Sequence, residues 1–262
     1  MARLLVFGSC SGTEPEEGRN HVSFALEIGE RIYWFDAGEG CSRTAHLMGV
    51  DLLKIRSVFI THTHMDHVGG LGNLLWNIRK LCWVRSAQPA DSTIRVFIPV
   101  LATWNGLMEV LKNTEGNFKT DFAFDVQKPK DGVIFEDENL KVTALHNHHL
   151  PDADGEHVSF SYRMDFEGNA LVFSGDVGGP DDLTPLIGNG VDWLLMETGH
   201  HKVKDVCDYA VAHNAKNLLF IHHGREILDN KPTVWEALAA CPLQPMLAWD
   251  KMVLDIPAKK LM

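Results

Sequence analysis

Residues 61 to 67 read THTHMDH, which sets His62, His64, Asp66 and His67 within a few positions of one another. In extended backbone alternate side chains share a face, so His62 and His64 point the same way, while Asp66 and His67 run on into a turn and can face a second ion. Nothing structural needs three imidazoles together, and such a set suits divalent metals. Two close cations can lower the pKa of a bridging water, polarise a carbonyl or phosphoryl oxygen and stabilise a leaving oxygen. Hydrolysis is the natural output. A second concentration, HNHHLPDADGEH at residues 146 to 157, holds four histidines in twelve residues. Alternation along LKVTAL puts His146 and His148 on the apolar side and favours them as buried ligands, but Pro151 breaks the local geometry. His146, His148, His149 and His157 all stay open.

The elements that must position these residues follow from apolar patterning. SVFITHTH reads as a strand ending at the first histidine cluster, and HVGGLGNLLWNIRKL carries helical spacing at Leu71, Leu74, Leu75 and Ile78. Before them RLLVF, VSFALEI and RIYWFDAG read as consecutive strands separated by Gly-rich turns and a polar loop from Ser9 to Asn20. Further strands are expected at TIRVFIP, LKVTAL, HVSFSYRM, ALVFSGD, VDWLLME and NLLFIHH, with helices near TWNGLMEVL, VKDVCDYAVAH and TVWEALAA. This alternation predicts an α/β layered domain whose strand-end loops collect the chemistry. The segment from Ser86 to Ser92 reads as an exposed insertion.

With 262 residues, 45% apolar and 23% charged, the chain is expected to form one domain. No apolar run reaches the roughly 18 to 20 residues that span a bilayer, and the N-terminal LLVF is too short for a signal-peptide core. Five scattered cysteines without a CxxC pair suggest neither a disulfide framework nor a thiolate zinc knot, so a reducing cytoplasm is expected. A formal charge of -11 disfavours broad nucleic-acid binding and leaves room for a local basic pocket. Fourteen histidines are dense for this length and need a site.

THTHMDHVGG resembles the signature of the metallo-β-lactamase superfamily. FGSCSGTEPEEGRN, WFDAGEG at 34 to 40, FSGDVG at 173 to 178 and FIHHGRE at 220 to 226 fall in the order that family shows, and AWDKMVLDI near the end is similar to the closing strand pair of many members. The resemblance implies an α/β fold, a four-layer αββα sandwich with a dinuclear site at one edge. Carried over by position, His62 and His64 would bind one metal, Asp66, His67 and His222 the other, and Asp176 would bridge. The remaining histidine of the first metal matches His149, which precedes the aromatic strand FSYRM, with His148 as the fallback; His223 competes with His222. Asp36, at a strand end, would accept a hydrogen bond from the far nitrogen of a ligand imidazole. This thiolate-free set suits two divalent ions, zinc best and manganese or iron next.

Several features resemble the ribonuclease Z branch and its relatives that act on small or cyclic phosphodiesters. The loop holding Ser9 could offer backbone N–H groups to an anion. His200, in GHH, matches a non-ligand histidine that protonates the leaving oxygen, with His201 as competitor. Asp66 and His200 are thus the expected catalytic residues, and Arg225 a phosphate contact. The short stretch between His149 and Asp176 leaves no room for the long Gly-Pro arm that grips tRNA. The preferred substrate is therefore a small phosphodiester, a cyclic nucleotide foremost, ahead of tRNA 3′ processing. Lactone or ester hydrolysis is the rival activity, and a metal-stabilised ligand-binding protein the non-enzyme alternative. No membrane partner is expected, and a homodimer is allowed.

Overall fold

Runs that read as strands become strands, and the connection between each pair decides its direction. The chain starts with β1 (Ala2–Gly8), β2 (Ser23–Ile28) and β3 (Arg31–Phe35), then alternates through α1 (Cys41–Leu47), β4 (Ile55–Phe59), α2 (Met65–Val68), α3 (Leu71–Arg85), β5 (Thr93–Phe97), α4 (Leu101–Lys112) and β6 (Ala123–Gln127). Four strands follow directly, β7 (Gly132–Glu136), β8 (Lys141–His146), β9 (Phe160–Phe166) and β10 (Asn169–Phe173). Alternation resumes with α5 (Thr184–Ile187), β11 (Trp193–Glu197), α6 (Val203–Ala212), β12 (Leu218–Ile221), α7 (Arg225–Leu228), α8 (Pro232–Ala240) and β13 (Met246–Leu247). The chain closes with β14 (Val253–Asp255) and β15 (Lys260–Leu261). This computed structural model describes residues 2–262. It divides into two units: one takes the chain up to Gly8, Glu17–Lys128 and Asp250–Met262, the other Ser9–Glu16 and Pro129–Trp249.

In the first unit the sheet order is β15-β14-β1-β2-β3-β4-β5-β6. The tight Gly29-Glu30 turn makes β2 and β3 antiparallel, β1 pairs antiparallel with β2 across the longer 9–22 loop, and helical crossovers make β3 to β6 parallel. α3 buries Leu71, Leu74, Leu75 and Ile78, the four positions its spacing marks, among Ile55, Val58 and Ile94. Trimming one of these leucines to alanine would cost about 2–5 kcal/mol. An aromatic ladder sets the register of the strands that end at the histidine loop. Phe24, Phe35, Phe59 and Phe97 are cross-strand partners on β2, β3, β4 and β5, with successive ring centroids 5.1, 4.9 and 5.1 Å apart. Each such pair contributes about 0.5–1.5 kcal/mol beyond burial. Phe35 comes immediately before Asp36, and Phe59 three residues before His62, so the ladder also aligns the loops that leave β3 and β4.

In the second unit the order is β13-β12-β11-β10-β9-β8-β7. β7 to β10 pair antiparallel and β10 to β13 parallel. β11 (WLLME) and β12 (LLFI) are buried throughout, as expected of parallel strands covered on both faces. α6 buries Val203, Val206, Cys207 and Ala210 at helical spacing in the core with Leu194, Met196 and Phe220. Among the described residues no helix is long and apolar enough to cross a membrane.

The structure departs from the sequence reading in four places. β6 and β7 lie at sheet edges and are largely exposed or half-buried, so they lack the apolar signal of central strands. The helix expected from His67 onward is two helices, α2 and α3, separated at Gly69 and Gly70. The 86–92 segment is exposed at Ser86, Gln88, Ala90 and Ser92, yet Pro89 is buried and Ala90 N donates to Leu53 O at 2.7 Å. AWDKMVLDI supplies one strand, β14, whose hairpin partner β15 lies beyond it.

Candidate metal centre

In the first unit the site begins where the aromatic ladder stops. Asp36 leaves β3 with a φ of 49° and is fully buried. Its Oδ1 accepts the Thr61 backbone N–H at 2.7 Å and its Oδ2 the Thr61 hydroxyl at 2.9 Å and His67 Nδ1–H at 2.7 Å. Burial pushes the Asp36 carboxyl up, against the opposing pull of His67 and Thr61. Because His67 Nδ1 gives its proton to Asp36, the Nε2 atom, 3.4 Å from Asp66 Oδ2, carries the lone pair a divalent ion would take. His62 is buried beside it, with ring centroids 4.0 Å apart, and His64 lies 4.5 Å from His62 and is exposed. Glycines let the two loops meet. A Cβ on Gly38 would lie 2.6 Å from the Asp66 carbonyl oxygen, and one on Gly70 2.1 Å from the Gly38 carbonyl oxygen. The contact is closed by Ala37 N–H to His67 O at 2.6 Å and Gly70 N–H to Ala37 O at 2.7 Å.

In the second unit the organising residue is Asp176, buried after β10. Its Oδ2 lies 3.7 Å from His149 Nε2 and its Oδ1 3.3 Å from His222 Nδ1. One carboxylate thus turns each oxygen toward a different imidazole, the arrangement a bridging ligand needs. His149 is braced from below: Asn147 Oδ1 accepts its backbone N–H at 3.1 Å, while Asn147 Nδ2 donates to Ser161 Oγ at 3.0 Å. The other histidines of the 146–157 stretch each face a different carboxylate. His146 pairs with Asp131 at 2.7 Å, His157 with Asp152 at 2.7 Å, and the exposed His148 with Asp182 at 2.5 Å. The hydrogen bond to Asp182 raises the His148 pKa.

His222 has a φ of 56°, and this left-handed step turns its ring and that of His223 to different partners. His223 Nε2 donates to the Ala248 carbonyl at 2.8 Å. His200 sets Nδ1 3.0 Å from Glu197 Oε2 and 3.8 Å from Asp176 Oδ2, with its ring half-exposed. His201 instead donates from Nε2 to the Val177 carbonyl at 3.1 Å. Glu197 was not marked by the sequence reading, although it is the one charged residue closing the buried strand WLLME. Burial works to raise its carboxyl, and the hydrogen bond from His200 together with the His222 imidazole 3.8 Å away overcomes this and holds it below the ordinary carboxylate range. The same bond raises the pKa of His200. Thr61 and Asn147 were likewise missed, because neither residue type signals a site until the fold sets it beside a histidine of the candidate set.

Ser9 is buried, and its carbonyl accepts the His223 N–H at 2.8 Å. Arg225 reaches the same Ser9–Glu16 segment, donating to Glu16 and the Thr13 hydroxyl at 2.6 Å and pairing with Glu14. A phosphate at Arg225 would have to compete with these acids. The donors in both units are imidazole nitrogens and carboxylate oxygens, a set that fits borderline divalent ions such as zinc.

These two mixed sheets with flanking helices define an α/β protein of the metallo-β-lactamase fold. The metallo-β-lactamase fold protein YhfI from Bacillus subtilis superposes with a TM-score of 0.71 at 16% identity, covering 97% of this chain and 100% of that one. More particularly, the chain belongs to the Anti-Pycsar protein Apyc1 family, whose model matches residues 2–230. It is 25% identical to ribonuclease Z of Mycobacterium avium (strain 104) over 267 residues, 92% of each chain. A diphosphatase from the PhnP family superposes with a TM-score of 0.67 at 18% identity, covering 97% of this chain and 98% of that one. The resemblance read from THTHMDHVGG and the motifs around it is borne out, as is the fold class.

Proposed function

We propose that the chain is a metal-dependent hydrolase that cleaves a small phosphodiester, with cyclic nucleotides the leading case. The observation that carries this reading is Asp176, whose two oxygens face His149 and His222 while His200 stands beside it. By the resemblance of the sequence motifs, His62, His64, Asp66 and His67 would supply metal ligands from the first unit and His149, Asp176 and His222 from the second. When bound, divalent ions supply Lewis acidity toward a phosphoryl oxygen and lower the pKa of water. The protein supplies the rest. Asp36 and Thr61 hold His67 in the tautomer that leaves Nε2 free of its proton, and Asn147 fixes the backbone of His149. Glu197 takes the Nδ1 proton of His200 into a hydrogen bond and so orients the ring, whose half-exposed edge can deliver a proton to a departing alkoxide. The similarity to ribonuclease Z of M. avium and to a PhnP-family diphosphatase supports phosphorus over carbonyl chemistry. The chain's charge of -11 favours a small substrate over tRNA.

The test is turnover by zinc- and manganese-loaded protein of cyclic nucleotides, bis-p-nitrophenyl phosphate, a tRNA precursor and lactones. His200→Ala should lower kcat on an alkoxide-leaving cyclic nucleotide about 100-fold or more and on p-nitrophenolate release far less, since a good leaving group needs no proton. Lactone turnover without phosphodiester turnover would overturn the proposal.

A further inference from the structure

His146 and His157 are outside the seven-residue ligand set, yet the fold builds a second donor group from them. The turn Ala153-Asp154-Gly155-Glu156 reverses the chain, with Asp154 at φ 53° and Gly155 at φ 75° and paired backbone bonds of 3.0 and 2.9 Å between Ala153 and Glu156. This Asp-Gly hairpin geometry returns His157 to the end of β8. There its ring stacks on that of His146, with centroids 3.7 Å apart and planes within 4°.

Both imidazoles are backed by carboxylates. Asp131 accepts the His146 backbone N–H and faces His146 Nδ1, each at 2.7 Å, and Asp152 faces His157 Nδ1 at 2.7 Å. An imidazole that gives its Nδ1 proton to a carboxylate keeps the lone pair on Nε2, the tautomer and orientation of a metal-ligating histidine. One donor atom each from Asp131, His146 and His157 lies within 4.8 Å of the others. His146 and His157 also border a cavity of about 460 Å³, which leaves space for the waters that would complete the coordination. The half-exposed rings can tilt out of their parallel stack to direct both lone pairs at one point.

We propose that His146 and His157, held by Asp131 and Asp152, form a further divalent-metal site through their Nε2 atoms, for a borderline transition ion such as zinc. Filling it clamps the 153–156 turn to the end of β8 and so tethers both ends of the segment that contains His149. The site uses none of the residues assigned to the hydrolytic ions, so it stands or falls apart from that assignment.

The experiment counts zinc by elemental analysis after dialysis of full-length, chelator-stripped protein against buffered free zinc. Wild type should bind one equivalent more than His157→Ala, and His146→Ala should lose the same single equivalent, or bind it at least tenfold more weakly. His148→Ala is the comparator, because His148 is exposed and paired with Asp182 outside the cluster. It should match wild type. Zinc should also slow backbone hydrogen exchange over residues 150–158 in wild type and not in His157→Ala. Equal zinc counts for wild type, His146→Ala and His157→Ala at every free-zinc level would overturn the proposal, as would an equal loss in His148→Ala. Circular dichroism of the stripped variants separates lost binding from lost fold. If the hydrolytic assignment fails, the total count falls but the difference between wild type and variant remains.

Discussion

Asp36→Asn tests whether the buried carboxylate sets the tautomer of His67, a proposed metal ligand. The two side chains are nearly the same shape, so packing around a fully buried residue is kept. What changes is one acceptor becoming a donor. If the amide oxygen stays on the Thr61 N–H, the NH₂ takes the Oδ2 position and meets His67 Nδ1–H, now donor against donor. His67 can relieve this only by moving its proton to Nε2, the nitrogen facing Asp66, and a protonated nitrogen has no lone pair for a metal. If the amide flips, its NH₂ faces the Thr61 N–H instead, and that buried donor goes unpaired. To bind metal the variant must therefore leave the relieved, Nε2-protonated state for the donor–donor contact or the flipped amide, at about 1–3 kcal/mol. At about 1.4 kcal/mol per decade this is about a 10- to 100-fold loss of metal affinity, matching the usual effect of removing an outer partner of a ligand histidine. The assay is competition for zinc against a chromophoric chelator, run beside thermal unfolding of chelator-stripped protein. Binding of every ion within twofold of wild type would refute the tautomer argument, whereas a collapsed unfolding transition of the stripped variant would show that Asp36 acts on folding instead.

Three further outcomes are expected. Asp176→Ala removes a carboxylate that faces both His149 and His222, so elemental analysis should show both of the proposed hydrolytic ions depleted; depletion of one alone would show that its two oxygens do not serve two metals. The Thr13 hydroxyl, then the Glu14 backbone and Arg225, hold the Glu14 carboxyl at about 2, below its ordinary 4.5. A lowered folded-state pKa stabilises above the ordinary value and is lost as pH falls through the folded one. Exchange protection of the Ser9–Glu16 loop, corrected for intrinsic rates, should be flat from pH 7 to about 5 and decline between about 4.5 and 2; a decline already complete at pH 5 would contradict this. Burial pushes the Cys41 thiol up to about 12, so native protein at pH 8 should leave Cys41 unalkylated by iodoacetamide while denatured protein reacts at all five cysteines, as peptide mass spectrometry would show.

How far the sequence speaks for the site depends on how local each arrangement is. THTHMDH is legible because its donors sit on one loop, and their relation is a property of backbone spacing that survives any tertiary packing. The helix face of Leu71, Leu74, Leu75 and Ile78 is legible for the same reason. HNHHLPDADGEH is not, because alternation along β8 cannot be continued past its end. What distinguishes its histidines is the acid each one meets: Asp131 lies fifteen residues before His146 and Asp182 thirty-four after His148. Strand pairing and the loop after β10 bring those acids into place, and the spacing within the stretch says nothing of it. With Asp131, Asp152 and Asp182 on its neighbours, His149 is the one histidine of the stretch that faces Asp176. Glu197 follows the same logic in reverse. A single carboxylate at the end of a buried strand is an ordinary strand terminus until β11 sets it beside Asp176 and His200. The partners of Arg225 are just as hard to foresee, since Thr13, Glu14 and Glu16 precede it by more than two hundred residues. Residue type and local spacing therefore mark which side chains can bind metal, while the distribution of buried and surface carboxylates decides which of them are presented to one.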